Sequence, residues 1–588
     1  MTIQEIIGAV EDAVRESVKK AYGVQLEAVG LDFPPDVSLG DFAVNFFSLA
    51  KEIGKSPAEI AKTVVEGIVA GEFVESAVAA GPYLNLKINR KTLFNAVCCE
   101  ILEKGEKFGG SPIGQKKRVM VEYLSPNTNK PIHLGHIRNG SLGMAMSNIL
   151  EASGYEVVKA ILVNDRGVHI CKSMLAYSRW GNGETPESTG IKGDHFVGKW
   201  YVRYSLEAEK NPLLKVEVQE MLQKWEAGDK ETMDLWKKMN DWAYQGFNET
   251  YEKYGFEFDK YYFESETYKL GKNIVEEGLK KKAFRKDKNG AVVFDLPEEE
   301  FGRDEKGQAR KMAALRADGT SVYLTQDLGT AVSRAEDYSL SRLIYVVGNE
   351  QVFHFKVLFK ILSVLGYSWA KDLYHLSFAM VYLPDGKMKS REGKVVDADN
   401  LLEEVQNFAA EEIRKRDTES LIPENEIVER ARKVALGAIK FYLLRVKPSQ
   451  DIHFDPKESL SFEGFTGPYC QYAYARIAGI LRNAEKEKTD FSQADFSLLG
   501  NSEERLLLQK LAQFPAELEK AAGEYNPLRV LTQTYEVAKA FSQFYNAHPV
   551  LQAEDKKLIT ARLELIKAAA VVIKKGLSLL GIEVMERM

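Results

Sequence analysis

The strongest constraint on this chain is a junction. An almost wholly apolar stretch, Val119-Met-Val-Glu-Tyr-Leu124, runs into Ser125-Pro-Asn-Thr-Asn-Lys-Pro-Ile-His133-Leu-Gly135-His136. A helical pattern follows, with Leu142, Met146, Ile149 and Leu150 on one face and Gly154 as its stop. A strand that is apolar at nearly every position must be covered on both faces, which is the situation of a parallel sheet. Three more segments repeat the pattern: Val157 to Val163, Leu343 to Val347 and Phe378 to Leu383. Separated by helical stretches, they predict a doubly wound parallel sheet. Such sheets bind ligands beyond the carboxyl ends of their strands, where the His133-Leu-Gly-His136 turn falls. The chain holds eight His and 44 Gly, so composition alone yields His-x-Gly-His only about 0.01 times. The helix start offers unpaired N–H groups and a positive dipole end, Gly135 admits a bulky group against the backbone, and two imidazoles can donate to phosphate oxygens as charge develops.

With 588 residues, 45% of them hydrophobic, the chain is long enough for roughly four domains. Its 79 basic and 85 acidic side chains leave a net charge of -6, which excludes bulk cationic attraction to nucleic acid and leaves only local patches. Cys98 and Cys99 are adjacent while Cys171 and Cys470 stand apart, a pattern that predicts neither a disulfide framework nor a structural zinc. Ile3, Ile6, Ile7, Val10, Val14 and Val18 recur at helical spacing among charges, unlike a secretory leader. No apolar run approaches the roughly 20 residues of a membrane span. The expected location is cytoplasmic, with no membrane association.

Residues 1–110 read as a small α/β module with a helix after Gly40-Asp41 and a strand in Tyr83 to Ile88, and the Gly- and Lys-rich stretch 104–117 as a linker. The sheet-forming region spans 111–400, interrupted at about 190–310 by a charged, mostly helical insertion with a hairpin at Asn289-Gly290. From 401 to 588 the periodicity is helical. No phosphate loop of the Gly-Lys-Ser/Thr type occurs; Gly109 to Gly114 lacks that ending.

Pro126 to His136 resembles the HIGH signature of class I aminoacyl-tRNA synthetases, and Ser-Pro-Asn-x-x-Lys-Pro-x-His-x-Gly-His is similar to the form found in arginyl-tRNA synthetases. The resemblance implies a multidomain α/β protein: a Rossmann-type catalytic domain with a helical insertion, an N-terminal α/β module that meets the tRNA elbow, and an all-α C-terminal domain for tRNA stem and anticodon. It implies an arginine–tRNA ligase that joins L-arginine to the α-phosphate of ATP, with Mg2+ accompanying the nucleotide, and passes the aminoacyl group to arginine tRNA. Activation is expected to need tRNA. No resident metal and no obligate protein partner are implied. By the same resemblance Lys130, His133, His136, Lys387 and Lys389 are catalytic, and Pro126, His133, Gly135, His136 and Met388 hold ATP. The stretch Lys387-Met-Lys-Ser-Arg391-Glu-Gly-Lys394 corresponds to the class I Lys-Met-Ser-Lys-Ser loop, in which alternating cations neutralise the leaving group. Ser390 replaces the second lysine, and the family pattern gives that role to Lys130.

A guanidinium is best met by a carboxylate that matches its planar fork, which also discriminates against lysine. Tyr323 and Asp327 are four apart in Arg316 to Gly329 and share a helical face. The block resembles the family's arginine pocket, which adds Glu122, Ser125, Asn127, His136 and Gln351. Asn164-Asp-Arg-Gly167 reads as a turn, and His195 in Gly193-Asp-His-Phe-Val-Gly198 reads as structural. Lys433, Lys440 and Lys447 recur every seven residues, a positive stripe for phosphates if one helix runs through them. Tyr469, Gln471, Tyr472 and Arg476 are of types that stack on and read unpaired bases, and they lie where the resemblance puts the start of the anticodon domain. Three rivals remain: a class I synthetase for another amino acid, a nucleotidyltransferase sharing the His-x-Gly-His sheet, and an RNA-binding relative without catalysis. The last could dispense with His133, His136 and Asp327.

Overall fold

The computed structural model describes residues 2–69, 71, 73–383, 386–387, 396–416, 422–486 and 494–588. They form two compact units: Pro112–Leu460 with Ala522–Leu528, and Met1–Ser111 with Ser461–Ala521 and Arg529–Met588. Among the described residues no helix is long and apolar enough to cross a membrane.

The first unit is built on strand β1 (Arg118–Glu122), helix α1 (Leu134–Ala152), β2 (Glu156–Val163) and α2 (Val168–Trp180). Helices α3 (Gly193–Lys210) and α4 (Lys230–Tyr254) precede β3 (Lys260–Phe263). Helix α5 (Tyr323–Tyr338), β4 (Arg342–Gly348), α6 (Val352–Val364) and β5 (Leu373–Phe378) complete the sheet, and α7 (Ala398–Arg416) and α8 (Glu424–Leu444) follow it. The five strands lie in the order β5-β4-β1-β2-β3, every pair parallel. Chain order runs outward in one direction from β1 to β3 and in the other from β4 to β5. The crevice of this sheet therefore opens between β1 and β4, where Glu122 faces Tyr345. Met120, Ala160, Leu343, Leu328, Leu358 and Ile361 pack around the sheet as one buried cluster.

Two strand expectations need correction. The strand at the edge is Leu373–Phe378, not Phe378 to Leu383; an edge strand need not be continuously apolar, so its sequence is less conspicuous. The more apolar Val381–Leu383 instead pairs parallel with Ile452–His453 in a separate small sheet, which also corrects the purely helical reading after residue 400. The insertion is not wholly outside the sheet either, because β3 within it pairs with β2. Its helices α3 and α4 share with α2 an aromatic core in which Phe196, Trp200, Tyr177 and Trp242 meet edge to face. The hairpin at Asn289-Gly290 is present: Arg285–Lys286 and Val292–Asp295 pair antiparallel, with Gly290 at φ 87°.

In the second unit, a four-stranded antiparallel sheet has Phe42–Asn45 and Tyr83–Ile88 at its centre. Strand Phe42–Asn45 stands where a helix was expected after Asp41; the helix starts at Phe47. Buried Asp41 accepts hydrogen bonds from Ile88 N (2.8 Å) and Arg505 Nη2 (2.6 Å). The N-terminal module thus shares one body with the helices after residue 461. Residues 401–460 pack instead with the parallel sheet, so the helical stretch 401–588 divides near 460.

Candidate active site

The turn between β1 and α1 is held in a strained path. Leu124 and Ser125 have φ of 79° and 39°, a left-handed conformation that costs a bulky residue on the order of 1–3 kcal/mol and persists only where surroundings enforce it. Asn139 supplies much of that enforcement: its Oδ1 accepts from Leu124 N (2.7 Å) and its Nδ2 donates to Val346 O (2.9 Å), tying the turn to β4. Residues 125–128 are stitched to Asn164 at the end of β2, with Asn164 N donating to Pro126 O (3.0 Å) and Thr128 N to Asn164 O (3.1 Å). Asn127 faces Asn164 in a parallel bridge.

His133 is the N-cap of α1 and His136 lies in its first turn. The Nδ1 of His136 accepts from His133 N (3.1 Å), which assigns the ring proton to Nε2. The two rings are 3.8 Å apart. A Cβ at Gly135 would lie 3.1 Å from His133 Cε1, so glycine lets the ring lie against the helix start. Burial, reinforced by Lys130, lowers His133 to about 3; burial, then His133 and Lys130, hold His136 well below its ordinary range. Burial also lowers Lys130. His133 Nδ1 is buried without a hydrogen-bond partner among the described residues. Two neutral imidazoles, a desolvated lysine and a helix N-terminus form a dry donor set awaiting negative charge. Pro126 is buried, its carbonyl accepting from Asn164 N. Met388 and Lys389 lie outside the described residues, and only the backbone of Lys387 is described, in a short strand with Gly386.

Of the expected arginine pocket, Glu122 and Ser125 flank the turn, Tyr323 and Asp327 lie on the first turns of α5, and Gln351 is exposed just before α6. Ser125 Oγ donates to Glu122 Oε1 (3.2 Å), and the other oxygen of Glu122 is ion-paired with buried Arg334 of α5. Glu122 is thus buried and already neutralised by the chain's own cation. Asp327 Oδ2 lies 2.6 Å from His354 Nε2. Burial opposes charge on His354, but Asp327 raises its pKa above the ordinary value.

Tyr323 and Gln326 line a cavity of about 510 Å3 with Arg166, His169, Lys272 and Glu264, a size suited to a small polar ligand. Tyr323 is 72% exposed, so its ring is available to a ligand. Burial pushes Glu264 up to about 7, with Asp165 and Asp327 adding to the rise and Arg166 opposing it. Neither Glu264 nor His354 was singled out by sequence. Glu264 directly follows β3, a strand not anticipated within the insertion, and His354 follows β4 without any motif. Arg138, two residues past His136, was also missed: its guanidinium donates to the carbonyls of Ala379 (2.6 Å), Met380 (3.1 Å), Pro448 (3.1 Å) and Gln450 (2.7 Å).

Two expected RNA contacts are corrected by burial. Lys440 is only 3% exposed, with Nζ 6.0 Å from the Phe256 ring. Because α8 ends at Leu444 and buries most of its faces, Lys433, Lys440 and Lys447 do not form a stripe. Lys433 is half-buried near Glu429, and Lys447 is exposed beyond the helix. Gln471 is fully buried and donates to Glu583 O (2.8 Å). Tyr469, Tyr472 and Arg476 remain half-exposed on one face of helix α9 (Gly467–Lys486), beside Tyr535 and Tyr545.

Family comparisons agree with this geometry. The model described as "tRNA synthetases class I (R), catalytic domain" matches residues 98–455, the "DALR anticodon binding domain" matches 470–588, and the "Arginyl tRNA synthetase N terminal domain" matches 8–88. The chain is 45% identical to the arginine–tRNA ligase of Treponema denticola over 96% of its length and 95% of that protein's. It is 42% identical to that of Porphyromonas gingivalis over 99% and 100%. The solved arginyl-tRNA synthetase of Thermus thermophilus superposes with a TM-score of 0.83 at 26% identity, covering 99% of both chains. A sheet open between β1 and β4, a histidine pair at the first helix and full-length kinship together establish that the chain belongs to the arginyl-tRNA synthetases of class I.

Proposed function

We propose that this protein attaches L-arginine to its cognate tRNA at the expense of ATP, through an arginyl-adenylate. The observation that carries the reading is the pairing of two sites at one sheet: the neutral His133–His136 donor set at the start of α1, and the cavity lined by Tyr323 and Glu264, with Asp327 one turn further along α5. ATP enters as its magnesium complex. The N–H groups of α1 and Nε2 of His136 meet the α-phosphate. The arginine carboxylate attacks that phosphorus, and pyrophosphate leaves. Negative charge accumulating on the phosphate oxygens is met by His133, His136 and Lys130, with Lys387 and Lys389 as further cations for the leaving group.

The arginine head is held by Asp327, which exchanges its bond to His354 for a paired bond to the guanidinium, with the Tyr323 ring alongside. Ser125, Asn127 and Gln351 hold the amino acid backbone, and Glu122 fixes α5 through Arg334. In the second step a terminal ribose hydroxyl of tRNA attacks the arginyl carbonyl and AMP leaves. Tyr469, Tyr472 and Arg476 are a stacking surface for anticodon bases, which the family match over 470–588 supports. The N-terminal module meets the tRNA elbow, and the protein acts in the cytoplasm without an obligate protein partner.

Replacing Asp327 with Ala tests the pocket. Loss of a charged hydrogen-bond partner costs on the order of 2 kcal/mol or more, so the KM for arginine should rise about 30-fold while that for ATP stays near its original value. Equal rises in both would indicate a merely structural carboxylate.

A further inference from the structure

A charged cluster beside the signature is used by no step above. Asp397 and Asp399 open α7, and the backbone leading into that helix is paired with the signature itself. Leu134 N donates to Val396 O (3.0 Å), Ala398 N donates to Ile132 O (3.0 Å), and His133 faces Asp397 in an antiparallel bridge. The four residues 396–399 are therefore a strap lying directly on His133.

Side chains from α3 and α4 hold the strap from the other side. Asp397 Oδ1 accepts from Asp399 N and Asn400 N (both 3.0 Å), which caps α7, and its Oδ2 lies 3.0 Å from His195 Nε2. Asp399 accepts from Lys192 Nζ (2.6 Å), Lys253 Nζ (2.8 Å) and Thr250 Oγ1 (3.1 Å). Tyr254 Oη donates to Ala398 O (2.7 Å). Burial disfavours charge on His195, but Asp397 and Asp399 outweigh it and push the ring up to about 10. Asp194, His195 and Asp399 bring ligand atoms within 4.8 Å of one another, as an ion site would. Lys192, 3.3 Å from Asp194 and 2.6 Å from Asp399, supplies the positive charge instead.

We infer that His195 and Asp399 form a latch that fixes the strap, and through the strap the position of His133; both are positioning residues for the reaction. This rests on the reading of His133 as a phosphate ligand. Misplacement by about 1 Å can cost about 100-fold in a reaction that depends on alignment, so a loosened strap should act on kcat. The KM for arginine should hardly move, since Tyr323 and Asp327 belong to α5, whereas the strap is bonded to the signature at Ile132 and Leu134.

The test is a double-mutant cycle on ATP–pyrophosphate exchange with tRNA present, using His195→Gln, His133→Ala and the two combined. The latch predicts that His195→Gln lowers kcat about 10-fold with the KM for arginine changed less than about twofold, and that in the His133→Ala background the same change costs less than about twofold. An equal loss in both backgrounds, or an unchanged kcat in His195→Gln, overturns it. If His133→Ala alone leaves the rate intact, the phosphate-ligand reading fails and the latch with it. Thermal melting establishes that each variant is folded. Should His195→Gln unfold, Asp399→Asn, which keeps the shape of the anchor without its charge, takes its place under the same criteria.

Discussion

At the residue scale, burial controls the chemistry. His133 and His136 are neutral because burial disfavours their charged forms, and a neutral imidazole whose Nδ1 accepts a hydrogen bond presents Nε2–H outward. Such a donor costs nothing to reorganise when the phosphate gains charge. His136→Ala should therefore lower the rate of arginine activation by about 100-fold or more with little change in melting temperature. A loss below about 10-fold would remove it from the reacting centre. Glu264 provides a second test. Its carboxyl is pushed up to about 7 and binds a guanidinium only when ionised. Affinity for arginine should thus rise as pH increases from about 6 to about 8, and Glu264→Gln should flatten that rise. The stability sign is opposite: a raised carboxyl favours the fold below its unfolded value of 4.5, and that contribution is lost as pH rises through about 7. An arginine titration series whose pH dependence is identical in Glu264→Gln would contradict this role.

At the scale of elements, the parallel sheet locates the site and a buried ion pair locks one wall of it. Glu122 on β1 and Arg334 on α5 are each less than 5% exposed, and removing one partner of such a pair leaves an uncompensated charge, costing about 3–5 kcal/mol. Glu122→Gln should lower denaturant stability by about that amount, while the double replacement Glu122→Gln with Arg334→Leu should recover much of it; no recovery would mean that the charges do not act as a pair. The strands β1, β2 and β4 could be read from residues because each is a run of apolar side chains buried on two faces. Strand β5 could not, since its edge position relaxes that demand, and β3 was hidden in a segment dominated by charged helices. His133, His136, Tyr323 and Asp327 could be picked out as candidates because they stand in dense local motifs. Glu264, His354 and Arg138 were not, because their roles come from neighbours distant in sequence, which no local spacing encodes.

At the scale of the whole molecule, the same distinction holds. Length and periodicity indicated an N-terminal α/β module, a parallel sheet and a helical remainder, but not that residues 401–460 pack with the sheet while 461–521 pack with the N-terminal module. Helical periodicity marks an apolar face without naming what covers it. Lys440 and Gln471 misled for that reason: their types suit RNA, but each lies on a face already covered by protein. With a net charge of -6 and the lysine stripe gone, the surface proposed for tRNA is a local one, formed by Tyr469, Tyr472 and Arg476. The central claim is the amino acid transferred, and the measurement that tests it most directly is aminoacylation of total tRNA with each amino acid in turn. Arginine alone should be charged, in an ATP-dependent reaction; charging with lysine or glutamine in its place would contradict the assignment of Asp327 and Glu264 as the guanidinium site.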